Sequence, residues 1–529
     1  MKAAIELQFP KLLDSMLILL LSAGLWGIHA VWLRRDTRPP VWDMALHQSY
    51  ALNYLQLNPP PRPPFRWWDR LGNYPPFVHL AIALCYYLFH PGPHIAILAN
   101  IPATLLLLWA VFELGSEVAG AAAGRWACAL TALTPYLIWM SRETMLDYWL
   151  SAWVGASLVI LYKTRGFASR AGSLILGGAL ALGLLTKWLF LGFVWFPLLY
   201  IFIRHRVWRD RERLINAADS LLIAGLVAAV WYLPNLPKLI RYFSENAEIG
   251  AIEGEPQAFS AQSLVYYLWL LEGYQLFGPL FLLLLIASFF VLRKKLLRDG
   301  NYLWGAIAGG WLVMTLLRTK DPRFTMPLLG LVAIVSGAWI QSWQERRMMK
   351  AAKAALVALL VFQAYLVNFG VHWLPQEVVL AQGYQGSLRW DWNLYLQHYF
   401  HILGPPRRED WKQREILGRV QADAVQKRIR PSLALVPDLA RFNAANFLLQ
   451  ARLDGIPMRV DHLRLPAQGL RTFEGFNYVL MTEGDQGMPW TTSQSRRLNQ
   501  IIVDEHGIFR LLELFRLPNG DYVRLYSKH

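Results

Sequence analysis

The sequence predicts an α-helical polytopic membrane protein that carries a C-terminal soluble α/β domain. Three observations predict it. From about residue 15 to 374, apolar runs of 15 to 23 residues follow one another, the length a helix needs to cross a bilayer. Of the 529 residues, 55% are hydrophobic and only 17% charged. Beyond 374 the hydrophobic density drops, charges return, and short strand-like runs alternate with a helical pattern.

The first run, 15–33, has no charged residue, is too long for a signal-peptide core and lacks a small-residue cleavage site, so it is expected to remain as an anchor. Further apolar segments lie near 76–90, 95–112, 126–140, 146–162, 172–186, 188–203, 218–234, 276–292, 302–317, 324–341 and 352–374. Twelve crossings would return the C-terminus to the side of the N-terminus. Topology therefore predicts an odd number of crossings, about 11 to 13, with 76–90 the shortest candidate.

The net charge of +16 does not make a nucleic-acid surface. Sixteen Lys and Arg are gathered in four short connections, 163–170, 204–213, 293–298 and 346–353, each after every second apolar run. That is the pattern of cytoplasmic loops. It leaves 34–75, 141–145, Lys187, 235–275, 318–323 and everything after 374 on the opposite face. Cys85 and Cys128 both lie in apolar runs, too few for a disulfide framework or a four-cysteine zinc site.

Two pieces stand outside the apolar runs. In the loop 34–75, residues 42–57 have helical apolar spacing with one polar side, which predicts a helix lying in the interface plane. In the tail 375–529, strands are expected at 432–436, 477–481 and 500–505 and an amphipathic helix at 439–453. A β-hairpin is expected across Asn519-Gly520.

Charges at the ends of membrane segments are costly without a role. Asp43 opens the 42–57 helix, where a carboxylate also complements the helix dipole. Asp147 follows the turn Ser141–Met145 and is followed by Tyr148-Trp149-Leu150, which places it at membrane depth. Lys187 is a lone cation between two apolar runs; snorkelling would account for it, as would an anionic head group. Arg318, Lys320 and Arg323 oppose the topological trend and suit a phosphate. Arg142, Glu143 and His47 sit beside the acidic positions and complete the candidate set, while His29, His79, His90 and His94 have no metal-ligand spacing. No dinucleotide-binding, P-loop, nucleophile-elbow or zinc-protease motif is present.

In this order, five motifs resemble the C-type integral-membrane glycosyltransferases of the protein O-mannosyltransferase and lipid A aminoarabinose transferase kind, over roughly residues 10–345. They are VWDMALHQ (41–48), NYPPFVHL (73–80), TPYLIWMSRETMLDYWLSAWV (134–154), GALALGLLTKWLFLGFVWFPLL (178–199) and KDPRFTMPLLGLVAIVSG (320–337). The terminal FRLPNGDYVRLYSK (515–528) is similar to tails of bacterial members.

The resemblance implies transfer of a sugar from a polyprenyl-phosphate donor to a hydroxyl of a glycan, lipid or protein acceptor, at the outer face of a bacterial inner membrane. Its partners are then the lipid-linked donor, membrane lipids and that acceptor, with no nucleic acid. The family's catalytic acid falls on Asp43 and its second acid on Asp147. The donor-phosphate cations fall on Lys187, Arg323 and Lys320, with Tyr74 where many members carry Lys or His before Pro-Pro. The resemblance makes no cofactor certain and allows a divalent metal; Met44 stands where many members have a second acid, which weakens a metal site. The alternatives are a ligase or polymerase using a lipid diphosphate, and a transporter with the tail as a binding module. A transporter would place its charges near the bilayer midplane, whereas here they gather at one interface.

Overall fold

The computed structural model describes residues 12–55, 73–252, 254–344, 346–369, 378–383, 386–390, 405–463, 473–487, 489–505 and 507–528. Parts of both expected extramembrane pieces, 56–72 among them, lie outside the described residues. The helices run in order α1 Leu12–Leu33, α2 Trp42–Leu55, α3 Phe77–Leu88, α4 Pro93–Ile97, α5 Asn100–Ala119, α6 Ala121–Ala132, α7 Pro135–Ser141, α8 Leu146–Lys163, α9 Arg170–Thr186 and α10 Leu191–Arg204. Then come α11 Arg211–Ile252, α12 Ala261–Leu270, α13 Phe277–Lys294, α14 Gly300–Leu316, α15 Leu329–Gln341 and α16 Arg347–Phe369. The tail adds α17 Gln413–Lys427, α18 Ala444–Leu453 and α19 Pro489–Asp504.

Among the described residues, six helical stretches are long and apolar enough to cross a membrane: Leu12–Leu33, Pro93–Ala119, Arg211–Ile252, Ala261–Lys294, Pro322–Gln341 and Arg347–Leu366. The pair α7 and α8, bent by 115° across a short break, passes the same test as one broken span. This is an integral membrane protein. The segment 235–275, read from the sequence as an outer connection, is largely helical. α11 continues through Pro234 and Pro237, and the Asn235 side chain donates to the Trp231 carbonyl at 2.9 Å. Prolines inside a helix remove backbone donors, yet the helix runs on past both.

Three of the basic connections meet at one end of the bundle. Arg213 donates to the Arg165 carbonyl at 3.1 Å, Tyr200 to Asp299 at 2.8 Å, and the Arg298 amide to the Val118 carbonyl at 2.7 Å. Gly120 of the same end lies against Gln341, just before the fourth connection. α2 and the tail sit at the other end.

The helix α2 does not have the exposed polar side expected of it. Met44, Ala45, His47, Gln48, Ser49, Ala51 and Leu52 are all buried, because α3 packs on one side and α18 on the other. A helix covered twice needs small residues where its neighbours approach, and Ala45, Ser49 and Ala51 supply them.

The tail strands are β3 Ser432–Leu435, β4 Arg459–His462, β5 Tyr478–Thr482, β6 Phe509–Arg516 and β7 Tyr522–Lys528; a separate pair, β1 Val378–Gly383 and β2 Gly386–Trp390, precedes them. The sheet order is β4-β3-β5-β7-β6, with β3 parallel to β4 and β5, and β7 antiparallel to β5 and β6. Every residue of β3 and β5 is buried, as central strands covered on both faces must be. Leu417, Phe447 and Leu433 form the core on one face, and Leu498, Ile502 and Val479 that on the other. The hairpin forms as expected, pairing Arg516 with Tyr522 around Gly520 at φ +93°. The expected strand 500–505 does not form. Its Ile-Ile-Val run lies in α19, where Leu498 and Ile502, four residues apart, share the buried face.

Candidate active site

A cavity of about 900 Å³ lies between the start of α2, the tail and the ends of the membrane helices opposite the basic connections. Four charged groups on its wall stand where a helix starts, ends or tightens. Asp43 is the second residue of α2. Asp147 is the second residue of α8, just past the sharp bend after α7. Lys187 closes α9 with extended backbone (φ −161°, ψ 140°) before the single turn Trp188–Phe190. Gly183 leaves room for the Phe190 ring to fold back at that turn. Arg323 lies in the tight turn Pro322–Leu328, whose cap Asp321 accepts from the Arg323 amide at 2.8 Å.

These residues form two neighbouring ion pairs. Lys187 Nζ donates to Asp147 Oδ1 at 2.7 Å, and Asp147 is fully buried, with Oδ2 making no hydrogen bond among the described residues. Arg323 is braced by Asp321, which accepts from its Nε at 2.8 Å and also from Nη2. The third corner, Nη1, reaches Asp43 Oδ2 at 3.4 Å and Met145 Sδ at 3.5 Å. Those are long contacts, so this corner faces the cavity nearly unspent. Burial pushes the Asp321 carboxyl up, but the Arg323 guanidinium outweighs it and holds the group below the usual carboxylate range.

His47, one turn along α2, is buried against His79, its Nδ1 3.0 Å from His79 Nε2. Burial first, and then the charges of Arg323 and Lys187, lower its pKa to about 3, so the ring is neutral. Tyr74 stacks on Trp188 with ring centroids 5.4 Å apart, and its hydroxyl meets that of Tyr242 at 2.7 Å. Burial raises its pKa well above the ordinary phenol value.

The remaining candidates are placed differently. Lys320 lines the cavity, but its ammonium donates to the carbonyls of Thr315, Leu317 (2.5 Å) and Met314 (3.4 Å), so it caps the end of α14. Arg142 stacks over the Trp32 ring at 4.3 Å and bonds Asn368. Glu143 accepts from the Trp139 indole at 3.1 Å. Neither lines the cavity. Sequence reasoning missed Asp321 as a brace, although it stands two residues before Arg323 at a helix start. It also missed the tail's share of the wall: Asp438, His462 and Ser495 carry no motif that points to it.

Among the described residues no group of three or more His, Cys, Asp or Glu is placed to hold a metal ion. Asp43 and Asp147 each face a cation instead of another carboxylate.

No family model and no curated relative matches the sequence. Solved structures do match the fold. ArnT from Cupriavidus metallidurans bound to undecaprenyl phosphate aligns with a TM-score of 0.59 at 13% identity, over 96% of this chain and 97% of that one. The Archaeoglobus fulgidus oligosaccharyltransferase AglB, in complex with an inhibitory peptide and a dolichol-phosphate, aligns at 0.55 and 10% identity, over 98% and 74%. An Archaeoglobus fulgidus oligosaccharyltransferase structure with Zn and sulfate aligns at 0.52 and 12% identity, over 97% and 73%. The mycobacterial arabinofuranosyltransferase AftD aligns at 0.53 and 14% identity, over 97% of this chain and 40% of that one. The chain thus has the fold of the integral-membrane glycosyltransferases that its motifs resemble.

Proposed function

We propose that the protein is a glycosyltransferase that moves a sugar from a polyprenyl-phosphate donor to an acceptor hydroxyl, inverting the anomeric carbon. One observation carries this reading. The Asp43 carboxylate and the exposed corner of Arg323 face each other across 3.4 Å in the wall of a large cavity, with the Asp147–Lys187 pair beside them. A carboxylate opposite cations is what breaking a glycosyl–phosphate bond requires: a base for the incoming hydroxyl and positive charge for the departing phosphate. The lipid-bound neighbours of the same fold support the donor class.

In this reading Arg323 Nη1 and Lys187 Nζ receive the donor phosphate, and Asp321 and Asp147 hold those cations in place. Asp43 accepts the proton of the acceptor hydroxyl as its oxygen attacks the anomeric carbon. The bond from that carbon to the phosphate oxygen breaks on the opposite side, and its electron pair leaves with the polyprenyl phosphate. The phosphate leaves without a protein acid. The neutral His47, one turn along α2 from Asp43, adds no competing charge. The site and the tail face outward, which in a bacterium is the periplasm.

The test uses the purified full-length chain with undecaprenyl-phosphate-linked mannose, glucose or 4-aminoarabinose, an envelope extract as acceptor, and release of undecaprenyl phosphate as readout. At least one donor should turn over, and Asp43→Asn should lower the rate by about 10²–10⁴-fold. As a charge at a helix start alone, Asp43 would cost about 0.3–1 kcal/mol of stability and leave turnover intact. Normal turnover in Asp43→Asn would refute the assignment of the base.

A further inference from the structure

The backbone of Trp42, immediately before Asp43, adopts φ +24°, a conformation that a bulky residue holds only when its surroundings impose it. What imposes it is the tail. The Trp42 amide donates to the Ala440 carbonyl at 3.1 Å, and its indole Nε1 donates to Asp438 Oδ1 at 3.1 Å. Asp438 is itself fixed: its amide donates to the Gln486 carbonyl at 3.0 Å, and it pairs with Gly487. Gly487 stands at φ +100°, and a Cβ there would meet the Asp438 carbonyl oxygen at 2.0 Å, so only glycine allows this approach. Both Trp42 and Asp438 also line the cavity.

We propose that Trp42 and Asp438 are positioning residues: the tail grips Trp42 from two sides and thereby fixes the Asp43 carboxylate over Arg323. The inference rests on Asp43 being the base. It gives the tail a part in turnover, although no residue of the tail need touch the reacting atoms. A grip on the residue before the base acts on geometry, and a misplacement of about 1 Å can cost about 10²-fold in rate.

The experiment measures kcat, donor KM, affinity for undecaprenyl phosphate and melting temperature on the full chain. Asp438→Ala and Trp42→Phe should each lower kcat by about 10- to 10²-fold, with donor KM, lipid-phosphate affinity and melting temperature essentially unchanged. Asp438→Asn keeps an acceptor oxygen for the indole and should recover most of the rate. The two lesions combined should be no worse than either alone, since they break one contact. Neither should lower the residual rate of Asp43→Asn any further. Full turnover in Asp438→Ala, an Asn variant no better than Ala, or additive losses would each overturn the proposal. Asp43→Asn run alongside separates the two readings. If that variant is active, the base assignment fails; if it is inactive while Asp438→Ala is normal, only the grip fails.

Discussion

Asp147 and Lys187, 40 residues apart in sequence, meet at 2.7 Å where two helices break, and the carboxylate has no exposure to solvent at all. A buried carboxylate of this kind is tolerable only while its cation stays. The pair therefore serves the fold and the site together, and the two roles separate by mutation. Lys187→Met should destabilise the protein by about 3–5 kcal/mol, the cost of leaving one buried charge unpaired. Adding Asp147→Asn should restore much of that stability without restoring affinity for undecaprenyl phosphate. Thermal melts and lipid binding on the three variants check this. A double variant that binds the lipid phosphate normally would remove Lys187 from the donor site.

Lys320 and Arg323 are close in sequence yet should respond in opposite ways. Lys320 spends its ammonium on carbonyls at the end of α14, so Lys320→Met should cost about 1–3 kcal/mol of stability through unpaired buried acceptors. Its donor affinity should stay near wild type. Arg323→Ala removes the guanidinium corner that faces the cavity and should weaken donor binding by about 2–5 kcal/mol. Competitive displacement of a labelled undecaprenyl phosphate distinguishes the two. Equal losses of affinity would mean that the Lys320 ammonium leaves its carbonyls when donor binds.

What the sequence made legible follows from period and topology. Apolar runs located the bundle, the Lys and Arg asymmetry located its basic end, cations that run against that asymmetry pointed to Lys187 and Arg323, and carboxylates at the start of a helix or span pointed to Asp43 and Asp147. What it hid depends on contacts between distant segments. Nothing local to Asp438 announces that it grips Trp42, and nothing in Lys320 announces a cap instead of a phosphate contact. The run Ile501-Ile502-Val503 looked like a strand because its branched side chains favour one. Burial of every fourth residue against the sheet decided for helix.

His47 gives a pH dependence with a definite sign. Its folded pKa is lowered to about 3, mainly by burial, from an ordinary value of 6.5. Between those values the unfolded chain takes up a proton that the folded chain refuses. Stability is therefore full above about pH 6.5 and is lost as the pH falls toward 3. One such group is worth about 1.4 kcal/mol per pH unit, or about 2 kcal/mol from pH 6.5 to 5. Melting temperature should fall over that interval, and His47→Gln should flatten the fall. An unchanged slope in the variant would show that His47 takes up its proton in the folded state.

The last prediction concerns orientation. The basic connections meet at one end of the bundle, while Asp43, Arg323 and the tail lie at the other, so a single experiment fixes the side of the whole site. Basic loops are retained in the cytoplasm, and by that rule the cavity is expected to face outside. Arg209 is exposed at the basic end, and Val425 is 71% exposed in the tail. In chains with Cys85 and Cys128 replaced, Val425→Cys should react with a membrane-impermeant maleimide in cells whose inner membrane is intact. Arg209→Cys should react only after that membrane is opened. The outward reading survives only this pattern. If Arg209→Cys labels first, the donor must be used on the cytoplasmic face, and the acceptor would have to be sought among cytoplasmic glycans, lipids or proteins.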